Sequence, residues 1–305
     1  MKTIGIIGGG NMGMAIIEGI RRQYKVLVCE KDSVRSQELK KRFKITTQDL
    51  DAVIKKSKIV ILAVKPQDFD SILSHRNFKN EIPIPPLAGP DRQEDSDVTP
   101  PKAARREIVP STARPIWEEM AKAMTSNQLV ISIAAGITTQ YIEKRLGNNI
   151  RVIRTMPNLP AQVGKAVTAL CKGSWAQESD IQSAQEIFKR IGKTVVVEES
   201  LMDAVTAVSG SGPAYVFYFL ECFQQAALSL GLNEETSQEL VIETLKGSLA
   251  LLEKSKEEAG ILRKKVTSKG GTTEAALAVL EQNKFAEIFA RALAAARDRA
   301  RELAK

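Results

Sequence analysis

Two stretches of this chain combine residue types and spacing that can do chemistry. In the first, Gly8, Gly10 and Gly13 follow directly on an apolar run that includes Ile4, Ile6 and Ile7, in the spacing G-x-G-x-x-G. Each glycine has a distinct use. Gly8 permits a tight turn, Gly10 lets backbone approach a pyrophosphate, and Gly13 lets a helix lie close to its strand. The N-terminus of that helix presents free N–H groups and a positive dipole end to phosphate. The bare pattern also occurs in plain glycine turns. Here strand, glycines and helix come in the order a dinucleotide site requires, and an acid, Glu30, ends the next apolar run. The second stretch, Thr267-Ser268-Lys269-Gly270-Gly271-Thr272-Thr273, precedes a helical run. Glycines, hydroxyls and a helix start make a nest for an anion, and equally a capped helix start with no ligand.

Glu30 and its neighbours bear on cofactor choice. A carboxylate at the end of the second strand accepts hydrogen bonds from a ribose 2′-hydroxyl and repels a 2′-phosphate. Lys31 and Arg35 pull the other way, so the expectation is use of both NADPH and NADH, leaning to NADH. Lys65 follows the apolar run Ile59 to Val64, and Pro66 keeps it extended. Strand carboxyl ends face the ligand crevice of an open α/β sheet, so Lys65 is placed to reach a phosphate or ribose. An ordinary solvent lysine fits the same position.

Composition narrows the chemistry. The 305 residues are 43% hydrophobic and carry a net charge of +8, enough for two domains with real cores. The single histidine, His75, rules out zinc clusters and Ser-His or Cys-His catalysis. The three cysteines, Cys29, Cys171 and Cys222, lack metal-ligand spacing and read as reduced thiols of a cytoplasmic protein. Aromatics are only 5%, and the basic residues are spread among acids, which argues against a nucleic-acid surface. Lys2 leads straight into a strand, unlike a secretory leader, and the apolar runs are too short to span a bilayer.

These residues need elements to hold them. Residues 1–74 read as β-α-β-α-β, with Lys25 to Cys29 as a strand, Ser33 to Arg42 as a helix and a further short strand segment starting at Ile45. Buried strands are also expected at Leu129 to Ile133 and Ile150 to Arg154. Two β segments follow, Ala166 to Leu170 and Thr194 to Val197, either side of a helix containing Ile181, Ala184, Ile187 and Phe188. From about residue 200 the pattern is helical. Ser209 to Pro213 reads as a loop feeding a helix that ends at Gly231. In the last helix, Phe285, Ile288, Phe289, Ala292 and Leu293 form a stripe that needs a partner surface. Residues 76–115 break the pattern. They hold eight of the chain's twelve prolines plus an acidic and a basic cluster, and read as a surface insertion dispensable for folding.

Taken in order, Gly8 to Gly13 with Asn11-Met12, Ala63 to Gln67, Ser132 to Gly136, Arg154 to Ala161, Ser209 to Tyr215 and Ser268 to Thr273 resemble the pyrroline-5-carboxylate reductases. The resemblance spans nearly the whole chain. It implies a Rossmann-type α/β dinucleotide-binding domain over residues 1–199, interrupted by the insertion. An all-helical dimerisation and substrate domain over 200–305 would follow, in a homodimer that can close into a ring of dimers. It implies reduction of 1-pyrroline-5-carboxylate to L-proline by hydride transfer from NADPH or NADH. Cofactor would lie on Ile7, Gly8, Gly10, Asn11 and Met12, on Ala63, Val64, Lys65 and Pro66, and on Ala134, Ala135 and Gly136. Glu30 and Lys31 would lie at the ribose. The substrate carboxylate would lie on Ser268, Gly271, Thr272 and Thr273, with Glu199 beside it and the Thr273 hydroxyl on the ring nitrogen.

Three departures stand out: Lys269 where the family usually has Pro, Leu50 where it often has Asn, and the 76–115 segment. A hydroxyacid dehydrogenase of the 6-phosphogluconate type would need a lysine on the helix after Ser209 to Gly212, and none occurs up to Gly231. A cofactor-binding regulator without turnover is the other reading, separated by assay.

Overall fold

A computed structural model describes residues 1–64, 116–147 and 149–304. Lys65, Pro66, His75 and the expected insertion lie outside the described residues. Seven strands form one sheet in the order β2-β1-β3-β4-β5-β6-β7. They are β1 (Thr3–Ile7), β2 (Lys25–Cys29), β3 (Ile59–Leu62), β4 (Leu129–Ser132), β5 (Arg151–Met156), β6 (Ala166–Lys172) and β7 (Gly192–Val196). The first five run parallel; β6 is antiparallel to β5, and β7 follows β6. Helices α1 (Asn11–Ile20), α2 (Ser33–Phe43), α3 (Leu50–Lys55), α4 (Ile116–Ala123), α5 (Thr139–Leu146) and α6 (Glu178–Phe188) connect them.

Alternation along the buried strands divides the core into two layers. Ile4, Ile6, Ile61, Ile131 and Ile153 face a layer with Ile16, Ile17, Leu39 and Phe188. Ile7, Val60, Leu62, Val130 and Val152 face the other, with Ile54, Trp117, Met120 and Ile142. Leu50, noted above as a departure from the family pattern, packs against this second layer. It gives α3 an apolar anchor in place of a polar contact.

After β7 the described chain contains no further strand. A short turn at Glu199–Leu201 leads into α7 (Met202–Val205), α8 (Gly212–Ser229), α9 (Glu234–Ser255), α10 (Ala259–Lys265), α11 (Thr272–Gln282) and α12 (Phe285–Leu303). Asn233 caps α9 by accepting from Thr236 N–H at 2.8 Å, and Gly231 ends α8 with φ of +92°. Phe285, Ile288 and Phe289 are each close to half exposed, so the first part of the stripe on α12 is only partly covered within the chain among the described residues.

Two expectations need correction. Ile45 does not start a strand. Residues 44–49 are irregular, and the Gln48 N–H bond to Val28 O, at 2.9 Å, ties them to β2 without a ladder. Ser209 to Pro213 is not a loop either. Thr206–Gly210 form a wide helical turn continuous with α7, and α8 begins at Gly212. The hydroxyl of Ser209 donates to Val205 O at 3.1 Å, so a residue type common in loops is satisfied by the helix itself.

Candidate cofactor and substrate site

Strand order reverses about β1, so the carboxyl ends of β1, β3 and β4 open on one crevice. The ladder runs on past the strands to shape its floor. Gly8 N–H donates to Cys29 O at 2.9 Å, Ala63 N–H to Ile7 O at 2.8 Å, and Ile133 N–H to Leu62 O at 3.1 Å. This brings Ile7, Gly8, Ala63, Val64 and Ala134 to neighbouring strand ends.

The three glycines behave differently. Gly8 has φ of +104°, and a Cβ there would lie 2.6 Å from the Ala63 carbonyl oxygen. A Cβ on Gly13 would collide with the Gly8 carbonyl, so the two glycines press α1 onto the turn. A Cβ on Gly10 would meet no protein atom nearer than Arg35 Nη1, at 3.8 Å. The protein's own packing therefore does not require glycine at position 10, and the space beside it is open. Gly10 is also the cap position of α1 and no side chain caps it, which leaves the first N–H groups of the helix, at Asn11 and Met12, open to an anion. These features fit a dinucleotide pyrophosphate.

The carboxylate of Glu30 is turned back onto the turn. Its Oε2 accepts from Gly9 N–H at 2.6 Å and its Oε1 from Asp32 N–H at 2.8 Å. Lys31 stays exposed. Asp32 caps α2, accepting from Val34 and Arg35 N–H at 2.9 and 3.0 Å. The Arg35 amide, more than any other group, holds the Asp32 carboxyl below its ordinary range.

After β4, Ala134 is buried, Ala135 is exposed and Gly136 turns with φ of +72°. A Cβ on Gly136 would lie 2.8 Å from the carbonyl oxygen of Leu303, so the last turn of α12 rests on this loop. Glu199 sits at the start of the helical part and reaches into the same region. Its carboxylate accepts from Thr139 N–H at 2.8 Å, from the Thr139 hydroxyl at 2.6 Å and from Arg154 Nη1 at 3.2 Å. Glu199 is therefore committed to protein partners, and it ties the start of α5 to β5. Arg154 and Thr139 did not emerge from sequence reasoning as members of this cluster. The readable signal was an arginine inside an apolar strand, because a buried guanidinium needs a carboxylate. Nearby Cys171 has its thiol pushed up to about 12, first by burial and then by the Glu199 charge, with Arg154 opposing. It is a packing residue.

The expected substrate loop lies between α10 and α11. Gly271 is the cap position of α11, and no side chain caps it. Thr272 and Thr273 are the first two helical residues, so Thr273 does not act as a cap. Gly271 N–H donates to Ser268 O at 3.0 Å, and Gly270 N–H to Glu274 Oε2 at 2.7 Å. Ser268 and Lys269 are exposed. Among the described residues, no hydrogen bond joins this loop to the crevice.

The chain matches two family models. Residues 199–303 match the model described as pyrroline-5-carboxylate reductase dimerisation. Residues 3–89 match one described as NADP oxidoreductase coenzyme F420-dependent. It is 33% identical over 308 residues to a pyrroline-5-carboxylate reductase of Synechocystis, covering 99% of this chain and 98% of that one. To pyrroline-5-carboxylate reductase 2 of Bacillus subtilis it is 32% identical over 295 residues, covering 94% and 90%. A solved pyrroline-5-carboxylate reductase from Coxiella burnetii superposes with a TM-score of 0.78 at 31% identity, covering 99% and 98%. These matches run along nearly the whole of each chain, and this chain belongs to the pyrroline-5-carboxylate reductase family.

Proposed function

We propose that this protein reduces 1-pyrroline-5-carboxylate to L-proline, using NADPH or NADH. The observation that carries the reading is the open face of Gly10 beside the uncapped start of α1, in a chain related to these reductases over nearly its full length. Ile7, Gly8, Gly10, Asn11 and Met12 cradle the pyrophosphate. Ala63 and Val64 flank the nicotinamide side of the crevice, and Ala134, Ala135 and Gly136 give a ring flat backbone to lie on. Residues 1–199 form the dinucleotide-binding unit and 200–305 the helical unit.

A reduced nicotinamide supplies a hydride to C5 of the cyclic imine. The protein's own part is to hold and orient the acceptor. Ser268, Gly271 and the first-turn N–H groups of α11, at Thr272 and Thr273, receive the substrate carboxylate. The Thr273 hydroxyl orients the ring nitrogen. If the imine enters protonated, hydride addition at C5 sends the C=N electron pair to nitrogen and leaves a secondary amine, so no protein acid is required. This suits a site whose hydroxyl is too weak an acid for proton donation near neutral pH.

The helical unit assembles with a second copy. Phe217, Phe219, Phe285, Ile288 and Phe289 lie exposed on α8 and α12, a larger apolar display than a solitary surface carries. A homodimer covers it, and dimers can close into a ring. No helix among the described residues is long and apolar enough to cross a membrane, and we assign the enzyme to the cytoplasm. The test is oxidation of NADPH or NADH by purified protein on addition of pyrroline-5-carboxylate, with proline formed in equal amount. Oxidation without proline, or no oxidation with either cofactor, contradicts the proposal.

A further inference from the structure

We infer that Thr139 and Glu199 are positioning residues: through them the helical part sets the loop after β4, on which the nicotinamide ring is proposed to lie. The inference rests on the dinucleotide reading above and adds what holds that loop in register. Helix α5 starts shortly after Gly136, and its first turn contains no acid of its own. The Thr138 hydroxyl accepts from Tyr141 N–H at 3.1 Å. The Thr139 amide remains, one of the first N–H groups that a helix cannot satisfy internally. Glu199, sixty residues on, supplies the acceptor and the missing charge. Its Oε1 accepts from Thr139 N–H at 2.8 Å and its Oε2 from the Thr139 hydroxyl at 2.6 Å. A carboxylate there also meets the positive end of the helix dipole. Thr139 itself is buried, where a hydrogen bond to a charged group counts for more than in water.

The carboxylate is fixed from its other side as well. Arg154 is buried within β5, and its Nη1 donates to Glu199 Oε1 at 3.2 Å. A buried guanidinium needs a negative partner, so the pair keeps the carboxylate in one place. Glu199 is the first residue of the helical segment 199–303 that matches the dimerisation model. The last turn of that segment closes the opposite flank of the loop. A Cβ on Gly136 would lie 2.8 Å from the Leu303 carbonyl oxygen and 3.5 Å from Ala304 Cα. Between these two holds, Ala134 and Ile137 are buried in the second core layer, and of residues 134–137 only Ala135 is exposed. The first residue and the last turn of the helical part therefore both bear on one loop. The hydroxyl of Thr139 and the carboxylate of Glu199 are bonded to each other, so their effect on the cofactor passes through the loop.

The experiment is calorimetric binding of NADH and NADPH, each beside its fragment without the nicotinamide, ADP-ribose and 2′-phospho-ADP-ribose. The proteins are wild type, Thr139→Ser, Thr139→Val and Glu199→Gln, with their melting temperatures. Thr139→Val keeps the shape and the amide and loses the hydroxyl donor. Its Kd for the cofactor that wild type prefers should rise about tenfold, while that for the matching fragment moves by less than about threefold, as expected when one hydrogen bond to a charged group is lost from under the nicotinamide end alone. Thr139→Ser keeps the donor and should stay within about threefold of wild type for both ligands. Glu199→Gln turns one acceptor into a donor and should repeat the valine pattern; the Thr139 pair decides the matter should the bare Arg154 unfold that variant. In Thr139→Val, equal weakening of cofactor and fragment, or a lower melting temperature with both affinities unchanged, would overturn the inference and leave the cluster a stabilising tie only, as would failure of that variant to fold. A wild-type cofactor affinity in folded Glu199→Gln would overturn it too. If wild type binds no cofactor and no fragment, the dinucleotide reading itself falls, and the inference with it.

Discussion

At the residue scale, Thr273 separates a structural role from a chemical one. It sits second in α11 and Gly271 holds the cap position, so its hydroxyl is not spent on its own helix. Losing one hydrogen bond to a charged ring nitrogen, about 1.5–3 kcal/mol, should lower kcat/KM roughly ten- to more than a hundredfold. Thr273→Ser keeps the hydroxyl and should retain most activity, while Thr273→Val keeps the shape and should not. Steady-state kinetics on folded, cofactor-binding variants makes the comparison. Equal kcat/KM in the two would assign Thr273 to packing. Residue types alone did not reveal the use of Glu30. Its partner amide, Gly9, lies twenty-one residues earlier, and a carboxylate at a strand end suits either a ribose or a buried N–H. Gly8 and Gly13 were legible because each answers a local demand that a side chain would break, a left-handed φ at Gly8 and close packing at Gly13, whereas the protein's own packing leaves Gly10 open.

At the element scale, α12 joins the exposed apolar stripe to the loop after β4. Its first half carries the exposed Phe285, Ile288 and Phe289, with the two phenylalanine rings stacked at 6.2 Å between centroids, and its last turn lies on Gly136. Phe289→Glu places a charge on that stripe at a half-exposed position, where the ring meets Tyr215 edge-on and Phe285 stacked. It should yield folded monomer at concentrations where wild type is assembled, as measured by light scattering after size exclusion. An unchanged mass would remove this stripe from the interface. The helix and its stripe were plain from the i, i+3, i+4 spacing. Other elements were not. Ile45, Thr46 and Thr47 are a short β-branched run and drew a strand where one hydrogen bond suffices. The antiparallel run of β6 was hidden because a two-residue alternation carries no direction. Serine and glycine at 209–212 suggested a loop, since those residues compete with helical bonding except where, as with Ser209, the hydroxyl bonds four residues back.

At the scale of the whole molecule, a mostly parallel sheet opens the crevice, and the helical part carries the exposed apolar stripe and the loop proposed for the substrate. Glu199 stands at their junction with Arg154 and Thr139, so one charged cluster fixes the helical part to the loop beneath the crevice. Sequence reasoning found the two parts through the change from strand runs to helical spacing near residue 200. It could not find the junction, because ion pairs between distant elements leave no periodic trace. The central claim is that hydride passes directly from the reduced nicotinamide to C5 of the cyclic imine, held in place by this chain. The most direct measurement is the fate of the label from a reduced cofactor stereospecifically deuterated at C4 of the nicotinamide, with pyrroline-5-carboxylate as acceptor. The account predicts proline carrying one deuterium at C5 when the labelled face is the one used, and none when the opposite face is labelled. Proline formed with deuterium lost to solvent from both labelled faces, or labelled cofactor left unconsumed, would contradict it.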